Sequence, residues 1–324
     1  MDGGKGLYSD HVAAARAAGV EMRFGSPVQG LCRDEQGRVC GVEVETDAGV
    51  EIIGGRTVVL AAGGFRANTE LCTRYLGVEW VHAKVRVTPD NSGDLLEPAF
   101  AVGAAGTGDW SGAHATAWDP TGDGVRGDRE LTNRMTKQSF PIGIVVNRDG
   151  QRFLDEGADF RNYTYAKYGV EILKQPGAMA VQLFDAKTRP MLREDEYTSP
   201  SIRSAQANTV EGVCEALGAD PQVCAATVAA FNAAIQPGTF DPTMKDWVST
   251  TGLQPARATG RCRWTPLRSG GARSPAASPS PSAACTSTWT GRCWRRMGHR
   301  SPDCSRRARS RVGSSTATTR EVAG

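Results

Sequence analysis

Between Ala256 and Gly324 the chain has no Lys, Ile, Phe or Tyr, and a single Leu, Leu267. So few large apolar side chains cannot offset the entropy of ordering a backbone, which excludes an ordinary hydrophobic core there. Acid is nearly as scarce. Asp303 and Glu321 stand against fourteen Arg, so this stretch carries +12 while residues 1–255 carry −9. The net charge of +3 averages two unlike segments and is no sign of a particular partner. The tail's four Cys lack zinc spacing, and its stacking platforms are limited to three Trp, which argues against a nucleic-acid-binding arm. No apolar run long enough to span a membrane and no secretory leader is recognisable, so a cytoplasmic protein without direct membrane insertion is expected. Cys32, Cys40, Cys72, Cys214 and Cys224 fall at unrelated spacings, as reduced structural thiols do. Also missing is an N-terminal strand carrying G-x-G-x-x-G, the turn that cradles a dinucleotide pyrophosphate. Met1 leads instead into Gly3, Gly4 and Gly6 and a helical pattern through Ala13, Ala14, Ala17 and Val20.

The tail is rich in Arg, Pro, Ala, Ser, Gly, Thr, Cys and Trp, the residues that GC-rich DNA yields out of frame. If each true codon begins at the third base of the printed one, Ala258–Pro266 permits NWALPLDT. Ser274–Thr290 permits VTCGITFTFGGVHVDLD, Arg300–Ser310 permits PIPGLFAAGEI, and Ser315–Ala323 permits a segment ending NYPGGS. Alternating apolar FTFGGVHVD before a Gly-rich turn reads as a buried strand and hairpin, and the printed sequence has no such pattern. Residues 251–324 are therefore expected to be an out-of-frame, non-native or disordered tail.

The rest has the composition of a globular enzyme. Val20–Cys32 has strand character, and Gly37–Ile53 alternates as a hairpin around Asp47-Ala48-Gly49. Arg56–Phe65 (RTVVLAAGGF) is a continuous apolar strand, the kind covered on both faces, ending in small residues that let a ligand approach the backbone. A helix begins at Asn68, and the polar loop Thr88–Asp94 leads into another at Leu95–Val102. Bare amides and a carboxylate at such a start suit ribose hydroxyls or phosphate. From about 108 to 250 the pattern changes. Strands are expected at Ile142–Asn147 and Ala178–Phe184, and a helix at Gln222–Ile235 with Asp220 as N-cap and Pro221 at its first position. The fold class expected is α/β: a partial, Rossmann-like FAD-binding domain (1–107) carrying an inserted α+β capping domain (108–250).

Five segments, GGKGL, VVLAAGGFRANTE, NSGD, GIVVNRDGQRFLDEGADFRNYTYAKYG and FDAK, resemble the flavoprotein subunits of the fumarate reductase/succinate dehydrogenase superfamily. The likeness is nearest to its tricarballylate-dehydrogenating branch, and it extends to the end of the chain if the hidden GITFTFGG, PIPGLFAAGEI and NYPGGS are accepted. It implies FAD as cofactor and a small polycarboxylate substrate, tricarballylate oxidised to cis-aconitate. One hydrogen would leave as hydride to the flavin and the other as a proton. It implies a separate membrane-linked electron-acceptor protein, and neither a metal nor a nucleic-acid partner. A flavin dehydrogenase of fumarate, succinate or a ketosteroid, and an inactive fragment, are the alternatives.

Carried over by position, the flavin contacts fall on Val28 (its backbone, to the adenine), on Ala61, Ala62, Gly63 and Gly64, and on Asn91, Gly93 and Asp94. Arg161 stands where related enzymes place the proton-transfer residue. An Arg is ordinarily protonated, so acting as a base needs a carboxylate relay; Glu156 and Asp159 lie within reach in sequence. The chain has one extra residue between Glu156 and Arg161, and Asn162 where an acid is usual. His114 aligns with a substrate-carboxylate-binding His. Lys137 could hold a further carboxylate, and Glu156, Tyr163 and Tyr165 could line the pocket. Each also has a plain structural reading.

Overall fold

The structure, a computed structural model, describes residues 3–86, 88–121, 135–198, 202–238 and 249–258, with the strand backbones at 278–281, 284–285 and 294–295. The chain divides into two compact units. The first comprises 1–64, 93–109 and 289–324, and the second 65–92 and 110–288.

In the first unit, α1 (Gly3–Ala17) buries none of its residues. The hairpin forms where the alternation places it: β1 (Val28–Arg33), β2 (Val39–Thr46) and β3 (Gly49–Gly54) make an antiparallel sheet in that order. Val42 and Val44 are buried while Glu43 and Glu45 point away, the two-residue period of a half-covered sheet. The strand expected over Val20–Cys32 begins only at Val28. Arg56–Phe65 corrects the reading more sharply, because Thr57–Phe65 forms no strand. A strand exists only as part of a ladder, and no described segment pairs with this one, so Val59 is left 76% exposed.

In the second unit, α2 (Thr69–Leu76) starts at Asn68, whose side chain accepts the Leu71 N–H at 3.0 Å. The short strand β4 (Lys84–Val85) follows. The chain then returns to the first unit for α3 (Leu96–Ala101) and β5 (Ala104–Ala105). Back in the second unit come β6 (Ala115–Thr116), β7 (Ile144–Asn147), α4 (Arg161–Leu173) and β8 (Met179–Leu183). After α5 (Glu194–Tyr197) and α6 (Val210–Leu217) runs α7 (Pro221–Ala234), whose N-cap Asp220 accepts the N–H groups of Gln222 and Val223 at 3.0 and 2.9 Å. Beyond these, β9 (Ser278–Pro281) pairs with β8, β10 (Ala284–Cys285) lies between β4 and β6, and β11 (Trp294–Arg295) pairs with β5.

The main core is built on the antiparallel pair β7–β8, buried on both faces. Ile144, Val146, Val181 and Leu183 meet Val213 and Leu217 of α6 and Val228 and Phe231 of α7. The alternate residues Val145 and Ala180 turn the other way, towards Tyr168 and Ile172 of α4, Phe140 and Leu154. Each such side chain stabilises the fold by roughly 1.5–3 kcal/mol on full burial. The printed sequence packs into this core as far as Ala258. Arg257 is 2% exposed, donates to the carbonyls of Gly143 (2.8 Å) and Pro141, and lies over the Phe231 ring. The re-read segments from 259 onward lie outside the described residues, apart from the three strand backbones.

Candidate active site

The site grows from one close contact. Helix α4 lies against β6 because Gly169 has no Cβ; a Cβ there would stand 2.4 Å from the carbonyl carbon of Ala115 and 2.5 Å from the Thr116 nitrogen. One turn towards the N-terminus, Tyr165 meets His114, the residue preceding β6, edge-on with ring centroids 5.0 Å apart. One turn further is Arg161, whose Nη1 donates to Gln138 Oε1 at 3.2 Å. Residues four apart share a helix face, so Arg161, Tyr165 and Gly169 form a stripe pointing at the end of β6.

Two arginines complete the surround. In the sheet order β4–β10–β6, Val85, Cys285 and Ala115 occupy one row. The next row in the same direction is flanked by Arg86 and His114, about two strand spacings, ~10 Å, apart. Arg66 sits in the turn before α2, tied to the Asn91 loop by the Ala67 N–H donating to the Asn91 carbonyl at 2.9 Å. Phe65, immediately before it, is held in an aromatic cluster with Tyr75 and Trp110 at centroid distances of 5.4 and 5.9 Å. The Nε–H groups of Arg66 and Arg86 are both buried without an acceptor among the described residues. Burial and the Arg66 charge push Arg86 below its ordinary value, and Tyr165 acts in the opposite sense. Among the described residues no carboxylate is part of that balance. Burial first, then the Arg86 charge, lowers the His114 pKa, so its imidazole is neutral at neutral pH.

The other candidates divide. Lys137 is enclosed, and its ammonium donates to the carbonyls of Glu196 (2.8 Å), Met135 (3.2 Å) and Thr136 (3.3 Å), with Asp119 at 3.6 Å. An ammonium has three N–H groups, so none is left for a substrate carboxylate. Burial lowers its pKa to about 8 against the pull of Asp119 and Glu196. Glu156 is also spent. It accepts Arg152 Nη2 and Nε at 2.5 and 3.1 Å and the Val145 N–H at 2.9 Å, clasping the β7 hairpin rather than relaying protons to Arg161. Asp159 accepts the Phe160 N–H at 2.7 Å. Tyr163 points outward, 78% exposed, and its neighbour Tyr165 takes the inward place. Arg66, Arg86 and Gln138 were missed. Arg86, like Lys84, alternates with apolar residues over Ala83–Val87, which was the available signal for it.

Of the positions matched to flavin contacts, Val28 opens β1 opposite Val44. Ala61, Ala62 and Gly63 are exposed, Gly64 is buried, and Gly63 has φ +77°. Gly93 has φ +78°, and its carbonyl accepts the Leu96 N–H at 3.0 Å as the loop turns into α3; Asp94 is exposed. The side-chain oxygen of Asn91 is buried with no donor among the described residues.

Residues 1–269 match the FAD binding domain family. This chain belongs to that family. The match ends inside the segment where the composition changes. A probable fumarate reductase of Shewanella frigidimarina is 29% identical over 231 residues, 69% of this chain and 36% of that protein. The 4-oxocyclohex-2-ene-1-carboxylate 5-dehydrogenase of Sinomonas cyclohexanicum is 28% identical over 249 residues, 72% of this chain and 41% of that protein. A shorter stretch, 77 residues and 24% of this chain, is 43% identical to a 3-oxosteroid 1-dehydrogenase of Comamonas testosteroni. Among solved structures, an open flavocytochrome c3 fumarate reductase superposes with TM-score 0.58 at 26% identity, over 86% of this chain and 44% of that one. The chain thus spans less than half the length of these relatives. The cofactor class of the FAD binding domain family is FAD, and the residues present fit it. The orphaned Asn91 oxygen is a ready acceptor for a donor of that molecule. Among the described residues of this FAD-binding chain, no group of three His, Cys, Asp or Glu could hold a metal, and no helix is long and apolar enough to cross a membrane.

Proposed function

We propose that the chain is the greater part of an FAD-dependent dehydrogenase for a small polycarboxylate, tricarballylate oxidised to cis-aconitate. What supports this reading is the set of cations at His114: Arg86, with Arg66 beside Arg86, and the Arg161 stripe. Desolvated cations are costly unless an anion arrives, and a neutral steroid brings none. The names of two relatives carry carboxylate substrates, fumarate and a cyclohexene carboxylate.

Bound FAD supplies the two-electron acceptor. His114 donates a hydrogen bond to one substrate carboxylate, held by its edge contact with Tyr165. Arg161, steadied by Gln138, takes up the proton from the carbon adjacent to the one that loses hydride. It has first given its own proton to solvent, because Glu156 is committed to Arg152 and the β7 backbone. The two hydrogens leave from neighbouring carbons and the double bond forms between them. A separate membrane-linked acceptor protein would carry the electrons onward.

The test is anaerobic turnover with FAD and an artificial acceptor, offering tricarballylate and a 3-ketosteroid in parallel. Oxidation of the acid is expected, with R161Q lowering kcat by roughly 10²–10⁴-fold and KM changing little. Turnover of the steroid alone would replace this reading with its rival.

A further inference from the structure

Resting on the polycarboxylate reading above, we infer that Arg66 and Arg86 form a paired clamp for a second carboxylate of the substrate, and so set how many carboxylates it must carry. Among the described residues nothing else accounts for the pair. Both guanidinium groups bring a buried Nε–H that no described protein atom accepts, where the great majority of buried donors find a partner. Two like charges near each other in a partly desolvated place destabilise the ligand-free protein, and an arriving carboxylate reverses the sign of that interaction.

The backbone around each is fixed before any ligand binds. Arg86 continues β4 directly after buried Val85, at the same end of the sheet as His114. Arg66 is held between the Phe65 aromatic cluster and the hydrogen bond from Ala67 to Asn91. A carboxylate bridging the pair would lie beside the one bound by His114, within reach of the Tyr165 face of α4. A planar fork matched to two oxygens makes Arg the residue type suited to the task, where Lys would offer a point charge.

A carboxylate and the pyrophosphate of FAD share the chemistry that two arginines recognise, so the experiment titrates both. The full chain and its R66Q, R86Q and R86K variants are titrated calorimetrically with tricarballylate, with butyrate (a single carboxylate) and with FAD. The wild-type chain is expected to prefer tricarballylate over butyrate by about tenfold, the scale of one charge-assisted hydrogen-bonded pair. Each Gln variant should erase most of that preference, and R86K should restore part of it. In the absence of ligand, R66Q and R86Q should melt at a higher temperature than wild type, since each removes one of two repelling charges. An arginine with a merely structural role would shift the melting point the other way. Retention of the tricarballylate preference in both Gln variants overturns the clamp while leaving the polycarboxylate reading intact. Loss of FAD affinity without loss of tricarballylate affinity overturns it too, by assigning the pair to the cofactor. Failure of the wild type to bind any polycarboxylate removes the reading itself, and the clamp with it.

Discussion

The imidazole of His114 loses basicity for two reasons that add: it is half-buried, and Arg86 lies close. Both penalise the charged form, so the folded chain holds this proton less tightly than the unfolded chain does. Between the lowered folded pKa and the unfolded value near ~6.5, the unfolded state binds more protons and stability rises with pH. The contribution is fully present above ~6.5 and is lost as pH falls through the folded value. Urea midpoints at pH 5 and 7 should therefore differ less in H114Q than in wild type. Adding tricarballylate should move the His114 titration upward, as followed by NMR. An unchanged or falling value on ligand addition would remove His114 from the anion site.

At the level of elements, one missing methyl group brings helix and strand together. Gly169→Ala would thrust a Cβ to 2.4 Å from the Ala115 carbonyl carbon and 2.5 Å from its oxygen, and backbone atoms cannot step aside as a flexible side-chain end can. Overpacking of this kind costs roughly 1–3 kcal/mol, against which Ala regains about 1 kcal/mol of helix propensity. The thermal midpoint of G169A should fall. Its affinity for tricarballylate should fall further than stability alone explains, because Tyr165 and Arg161 ride on the same helix. A rise in midpoint with intact affinity would show that α4 does not need this approach. Much of the second unit was legible in advance for local reasons. Asn68 and Asp220 cap their helices, Pro221 sits at a first helical turn, and both strands of the central pair lie within the ranges expected for them. Lys137, Glu156 and Gly169 were not legible. Their meaning comes from partners distant in sequence: Glu196 for Lys137, the β7 backbone for Glu156, and the start of β6 for Gly169. A Lys in a polar stretch reads alike whether it faces a substrate or fills a cage of carbonyls.

On the scale of the whole molecule, the same distinction explains the largest miss. Arg56–Phe65 has the composition of a strand covered on both faces, yet composition makes a strand only where neighbours offer a ladder. In this chain the run carries Val59 at 76% and Leu60 at 38% exposure, beside a hairpin whose β3 leaves Val50 and Ile52 at 64% and 68%. Unpaired backbone next to exposed β-branched side chains is a template for pairing with a second chain. The purified protein should therefore self-associate in a concentration-dependent way. Replacing both members of the run, V59S with L60S, should reduce that association by light scattering, and V50T with I52T should reduce it again. The second unit provides the control, because its core depends on none of these four residues. The near-ultraviolet signal of its buried aromatics should be the same in the wild-type and substituted chains. Association that persists unchanged in the four-fold variant would place the sticky surface elsewhere and remove the unpaired run as its cause.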